Sequence, residues 1–183
     1  MQSDTLIQSL IEQTREIITK VEQLKELDTP TLMWRENPTS WNILECLEHL
    51  NLYGDFYLLE MERKIRHSNT KSETEFNPGF LGNYFANSVL PKGKLNKMKT
   101  FKDKNPLNSV LDCGVIDRFL EQQTQLLELL ELSKNISLNK VKIGISITKL
   151  IKLKLGDTFR FYINHMLRHM NQIDNILRAQ IKL

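Results

Sequence analysis

Tyr162-Ile163-Asn164-His165-Met166-Leu167-Arg168-His169-Met170-Asn171-Gln172-Ile173 sets the reading of this chain. Its apolar residues recur at helical spacing, and it holds two of only four histidines in the sequence, His165 and His169, placed four apart. Residues at i and i+4 lie about one turn apart on one helix face. Both imidazoles can then reach one point beside the helix, which is the spacing a metal ion needs. At roughly 100° per residue, counted from Asp157, a polar arc collects Arg160, Asn164, Arg168, Asn171, Asn175 and Arg178. Opposite it lie Phe159, Tyr162, Ile163, Met166, Met170, Ile173 and Leu177. His165 and His169 fall on the side of Tyr162 and Ile176, off the polar arc.

A third histidine, His49, lies in another strongly helical stretch, Trp41-Asn42-Ile43-Leu44-Glu45-Cys46-Leu47-Glu48-His49-Leu50, on the apolar side between Tyr53 and Phe56. A lone histidine on an apolar face is as a rule a core residue with a hydrogen-bond partner. Three on inward faces, two of them one turn apart, favour a shared divalent ion held by His49, His165 and His169. His67 is the contrast. It points much as His49 does but lies about 27 Å further along the axis, too far to share the ion. It reads as a helix C-terminal residue, favourable to the dipole when charged.

The rest of the chain supplies the scaffold. Ser3 or Asp4 caps a first helix running to about Leu27, with Leu6, Leu10, Thr14, Ile17, Val21 and Leu24 as its buried stripe. Asp28-Thr29-Pro30 ends it, and a loop with Trp34 and Pro38 follows. Thr39 or Ser40 caps a second helix from about Trp41 to Arg66. Residues 68–107 are the least regular part. Asn77-Pro78 can start a short helix through Phe80, Tyr84 and Phe85, and Lys92, Lys94, Lys97, Lys99, Lys102 and Lys104 read as a solvated loop. This connection is far too long for a simple bundle turn. It can return along a bundle, making the second and third helices parallel, and it can cover a site. The third helix runs from about Asn108 to Ser133, with Leu111, Val115, Phe119, Leu126 and Leu130 inward, Glu121, Glu128 and Glu131 outward, and Gly114 as a local weakness. Lys140 to Ile147 alternates like a strand, but no partner strand is evident, so it reads as an extended connector. Gly156-Asp157 breaks and caps, starting a fourth helix to about Gln180. The expectation is an all-α protein, a four-helix bundle in a single domain spanning 1–183 with no internal repeat.

Composition narrows the function. The chain has 183 residues, a net charge of +3 and 26% charged residues. The small net charge argues against an electrostatic nucleic-acid binder. No apolar run approaches the length of a membrane span, and Met1-Gln2-Ser3-Asp4 does not open a signal peptide. Cys46 and Cys113 read as free thiols in a reducing, cytoplasmic compartment.

The pattern Trp41-x-x-x-Glu45-x-x-x-His49-Leu50, the late His165-x-x-x-His169-x-x-Gln172-Ile173, and Ile151-Lys152-Leu153-Lys154-Leu155-Gly156-Asp157 before it resemble the DinB-like metalloenzyme superfamily. The resemblance runs from Trp34 to about Leu177. It implies an up-down-down-up bundle with the long crossover between the second and third helices. It also implies three histidine ligands to nickel, zinc or another divalent ion, carried here by His49, His165 and His169; some relatives use glutamate at one late position. Characterised relatives are often thiol S-transferases or isomerases that use bacillithiol, mycothiol or glutathione.

Three neutral nitrogen ligands leave at least one coordination position for water, thiolate or substrate oxygen. An ion held this way lowers the pKa of a water or thiol it binds. Glu45, one turn before His49, and Gln172, close after His169, can orient imidazoles or a bound water; each is equally readable as surface polarity. Cys46 can close a Cys-His₃ zinc site, although a cysteine among Leu44, Leu47 and Leu50 is more often plain core. Two functions remain. One is a metal-dependent enzyme taking a small-molecule substrate, with a low-molecular-weight thiol as co-substrate or with water as nucleophile. The other is a non-catalytic metal-binding bundle acting as an interaction or stress-response module. A homodimer is compatible with either.

Overall fold

A reciprocal cap starts the helix that carries His49. The Asn42 side chain accepts from the Glu45 amide at 2.8 Å while Glu45 accepts from the Asn42 amide at 2.9 Å, a capping box. The computed structural model describes residues 1–90, 100–146 and 148–181, apart from the side chain of Lys149. Among them are six α-helices, two single-turn 3₁₀ helices and one two-stranded sheet. The long helices are α1 (Ser3–Leu24), α3 (Ile43–Arg66), α5 (Gly114–Leu132) and α6 (Leu155–Gln180). α2 (Thr29–Met33) and α4 (Phe80–Ser88) are short. α1 and α3 each pack on both α5 and α6. The apolar stripes expected from helical spacing face one core, with Leu10, Ile17 and Val21 of α1, Phe119, Leu126 and Leu130 of α5, and Phe159, Tyr162 and Met166 of α6 all buried.

Several boundaries differ from the sequence expectation. Asp28-Thr29-Pro30 does end α1, but it also starts α2: Asp28 accepts from the Thr31 amide at 2.9 Å, and Pro30 sits in the first turn, where its missing N–H costs nothing. The second long helix is capped by Asn42, not by Thr39 or Ser40, because the Glu three residues on completes the box. The third begins at Gly114 rather than Asn108. Asn108 takes a left-handed φ of 64°, outside helical geometry, and Asp112 accepts from the Gly114 amide at 2.9 Å just before the helix. Gly114 is therefore the first residue of α5, not a flaw within it.

The largest correction is the sheet. Lys142–Ile145 (β1) does have a partner, Thr148–Lys154 (β2), and the two form an antiparallel hairpin with Lys142 opposite Lys154 and Ile143 opposite Leu153. The partner is the Ile-Lys-Leu-Lys run leading into the last helix. The register shifts between Gly144 and Ile145, where Gly144 pairs with Lys152 but Ile145 with Thr148. Ile143 and Leu153 are buried and join the core. The chain then enters α6 directly at Leu155, whose amide donates to Val141 O at 3.0 Å.

The long crossover is tied down at both ends. α4 packs on α6 across part of its polar arc. Asp157 is buried and accepts from the Gly79 amide at 2.8 Å. Arg160 donates to Asn83 Oδ1 at 3.0 Å and Asn164 to Ala86 O at 2.9 Å. Gly82 lets the helices meet this closely, since a Cβ there would stand 2.4 Å from Asp157 Cβ. Arg160 and Asn164 thus spend their polarity on a covering helix. Lys92, Lys94, Lys97 and Lys99 lie outside the described residues. Lys102 is exposed as expected, but Lys104 is half-buried and donates to Leu52 O at 3.0 Å.

Candidate metal centre

α3 presents His49, and one face of α6 presents His165 and His169; all three are buried. Their Nε2 atoms converge. His49 Nε2 stands 3.3 Å and His169 Nε2 3.1 Å from His165 Nε2, and one nitrogen from each ring lies within 4.8 Å of the others. Two nitrogens bound tetrahedrally to zinc at about 2.0–2.1 Å are themselves about 3.3–3.4 Å apart. The two separations from His165 Nε2, 3.3 and 3.1 Å, are close to that edge length.

Contacts behind two of the rings decide where their protons sit. His49 Nδ1 is 2.6 Å from the Lys104 carbonyl, which only accepts, so Nδ1 carries the proton and Nε2 presents a lone pair. His169 Nδ1 is 3.0 Å from Gln172 Oε1, with the same consequence. His165 differs, because its Nδ1 is buried without a partner among the described residues. Two bare lone pairs therefore face the third imidazole, a donor set that a cation would satisfy. Burial pushes His49 down to about 4, partly opposed by the Lys104 carbonyl. Burial also holds His165 and His169 well below the usual imidazole range, with the neighbouring histidines and Arg168 adding to it. All three rings are neutral near pH 7, the form that ligates.

Glu45 does not touch His49. It is fully buried, closes the capping box, pairs with Arg35 Nη2 at 3.0 Å and accepts from the Asn108 amide at 2.6 Å. Arg35 Nη1 also reaches Asn108 Oδ1 at 3.0 Å, and Trp41 Nε1 donates to Asn105 Oδ1 at 3.2 Å. Glu45 thus pins the end of the crossover to α3, and that same segment brings the Lys104 carbonyl to His49. Gln172 orients His169 directly. Cys46 is fully buried in the apolar core and does not join the histidine group, and burial holds its thiol far above its usual range. His67 is exposed at the C-cap of α3, its Nδ1 2.8 Å from Arg63 O.

The histidines form the floor of a cleft of about 940 Å³. Trp41 stacks toward His169 with ring centroids 5.9 Å apart, Phe161 lies nearly parallel to His165 at 6.0 Å, and Tyr53 packs edge-on against His165 at 4.8 Å. Tyr84 and Phe85 of α4 and Phe101 also line the cleft, which places the crossover at its mouth; Phe80, 89% exposed, does not line it. The Lys104 carbonyl, the Glu45–Arg35–Asn108 tie and the aromatic wall had no motif to announce them. A backbone carbonyl carries no residue-type signal, and ring contacts made across the fold have no fixed spacing.

The family model described as DinB superfamily matches residues 10–173, the greater part of the chain. No curated protein and no solved structure matches it.

Proposed function

We propose that this chain, which belongs to the DinB superfamily, is a metal-dependent enzyme that transfers a low-molecular-weight thiol to a small electrophile or hydrolyses one. The observation that supports this best is the convergence of three buried, neutral imidazoles on one point at the floor of an accessible cleft. His49, His165 and His169 would hold a divalent ion, with nickel or zinc suited to imidazole ligands. When bound, such an ion supplies a Lewis acid that favours the deprotonated form of water or a thiol near neutral pH. The residues around it have separate tasks. The Lys104 carbonyl and Gln172 keep protons on the outer nitrogens of His49 and His169, so their inner nitrogens stay available. Trp41, Phe161 and Tyr53 surround the histidines with apolar surface and limit water there. Tyr53 is pushed up to about 12, first by burial, so at neutral pH it remains a phenol that can donate a hydrogen bond and not a base.

Around this site we read α1, α3, α5 and α6 as an up-down-down-up bundle in a single domain, working in the cytoplasm on a small molecule, with a homodimer as the assembly to test. The non-catalytic alternative would be favoured by a fourth protein ligand closing the site. Among the described residues, no other His, Cys, Asp or Glu joins the group.

The test starts with metal content. Untagged protein should carry up to about one divalent ion per chain by elemental analysis. His165→Ala and His169→Ala should abolish it, and His67→Ala should not. Holo protein, chelated protein and His49→Ala should then be screened with an electrophile panel plus glutathione, bacillithiol or mycothiol. Activity lost on chelation and restored by Ni²⁺ or Zn²⁺ is the expected result. A metal-independent rate, equal in His49→Ala, would remove the catalytic reading of this site.

A further inference from the structure

We infer that the histidine cleft binds a small molecule with a flat aromatic body, held by the ring walls and not by the ion. The inference rests on reading this cleft as a substrate site. Its volume, about 940 Å³, is near the upper end of the roughly 300–1,000 Å³ typical of small-molecule sites. That is more room than a small thiol alone needs. Rings line it from the floor to the rim. Trp41, Tyr53 and Phe161 pack against the histidines, while Tyr84 and Phe101, 64% and 46% exposed, stand at the rim with ring surface open to solvent. These rings come from three separate parts of the chain: the Trp41–Tyr53 stretch with α3, the crossover, and α6.

Among the described residues, charge gives little alternative basis for recognition. Among the described lining residues only Glu36 and Arg168 carry formal charge at neutral pH, and their signs oppose. Aromatic pairs gain from offset or edge-on contacts beyond plain area burial, so ring walls prefer a flat ring to an aliphatic body of equal size. Polar groups at the inner end, Tyr53 and Gln172, remain to orient a reacting substituent toward the histidine nitrogens.

The chain provides its own reporter. It has two tryptophans, Trp34 and Trp41, and both line this cleft. Full-length protein, chelated and holo, should be titrated with 1-naphthalenemethanol and, separately, with cyclohexylmethanol while tryptophan emission is followed. The expected result is a saturable emission change with the naphthalene probe in both forms, and about three- to tenfold weaker binding of the aliphatic one. Phe161→Leu, and independently Tyr84→Leu at the exposed rim, should each weaken the aromatic probe by at least about threefold while helical circular dichroism is retained. Tyr84→Leu decides the matter if Phe161→Leu does not fold. Non-saturable quenching, equal binding of the aliphatic probe, binding lost on chelation, or affinity unchanged in the folded variants would each overturn the inference. Metal content measured in parallel separates the two readings. Purified protein that carries a divalent ion but does not bind the probe defeats this inference alone, and purified protein that binds the probe but neither carries nor takes up Ni²⁺ or Zn²⁺ defeats the proposed function alone.

Discussion

His165 differs from the other two histidines in what lies behind it. His49 and His169 have acceptors fixed at Nδ1, whereas His165 Nδ1 is buried without a partner among the described residues. Without a cation, its lowest-cost arrangement places the proton on Nε2, facing two lone pairs, since an unpaired buried donor costs about 1–3 kcal/mol. A bound ion would force that proton to Nδ1. Nitrogen-15 NMR of metal-free protein should show His49 and His169 as Nδ1–H and His165 as Nε2–H, with only His165 changing tautomer as Zn²⁺ is added. An Nε2–H form of His49 or His169 in the metal-free protein would contradict the assignment. Protonation bears on stability as well. The folded His49 is pushed down to about 4 against an ordinary 6.5, and the other two are lowered likewise. Between those values the unfolded chain binds protons that the folded chain refuses, so stability is present above about pH 6.5 and falls as pH drops below it. The slope approaches about 1.4 kcal/mol per pH unit for each such histidine. The urea midpoint of chelated protein should drop from pH 7 to pH 5, and a flat midpoint over that range would rule out neutral buried rings.

At the scale of elements, what was legible depended on whether the signal was local. Helical spacing placed the histidines of α6 and α3 on inward faces without a structure, because a side chain's direction on a helix is fixed by its position alone. β1 could not be recognised as a paired strand from its own residues. Its partner β2 reads equally well as the approach to α6, and only pairing distinguishes the two. The polar arc of α6 was legible as polar, but its covering helix was not, since a face that hydrogen-bonds another helix has the same composition as one that meets water. Glu45 shows the same limit. Its spacing from His49 left open an orienting role or plain surface polarity, but it is buried and grips the crossover. Glu45→Gln keeps the shape while weakening the hold on Arg35 and the Asn108 amide, so the Lys104 carbonyl should be less firmly placed behind His49. Metal affinity, measured by chelator competition, should fall about tenfold with helical content unchanged, within the range for loss of a ligand's supporting partner. Unchanged affinity would show that the crossover keeps its position without this tie.

For the molecule as a whole, the apolar core is assembled without the histidines. The apolar faces of α1, α3, α5 and α6 meet over many buried side chains, and the histidines lie at the edge of that packing beside a cleft. Removing metal should leave far-ultraviolet circular dichroism nearly unchanged while lowering the melting temperature by ligand linkage, about 2.7 kcal/mol if free ion had been at 100 times its dissociation constant. Unfolding on chelation would instead identify a structural ion. The described helices include none long and apolar enough to cross a membrane.

The hydrogen-bonded seam between α4 and α6 also bears on aggregation. Docking against the buried Asp157, Arg160 and Asn164 relies largely on groups that water can replace as partners. If α4 lifts away, the part of that strip carrying Asp157, Arg160 and Asn164 becomes a wettable surface, so the apolar area uncovered is confined to contacts such as Phe85 on Phe161 and the buried Ala86. The same seam makes the wrong partner costly, because a foreign apolar segment laid on this strip would bury Asp157 and Arg160 without the Gly79 amide and Asn83 as partners, leaving only their own pair at 3.4 Å.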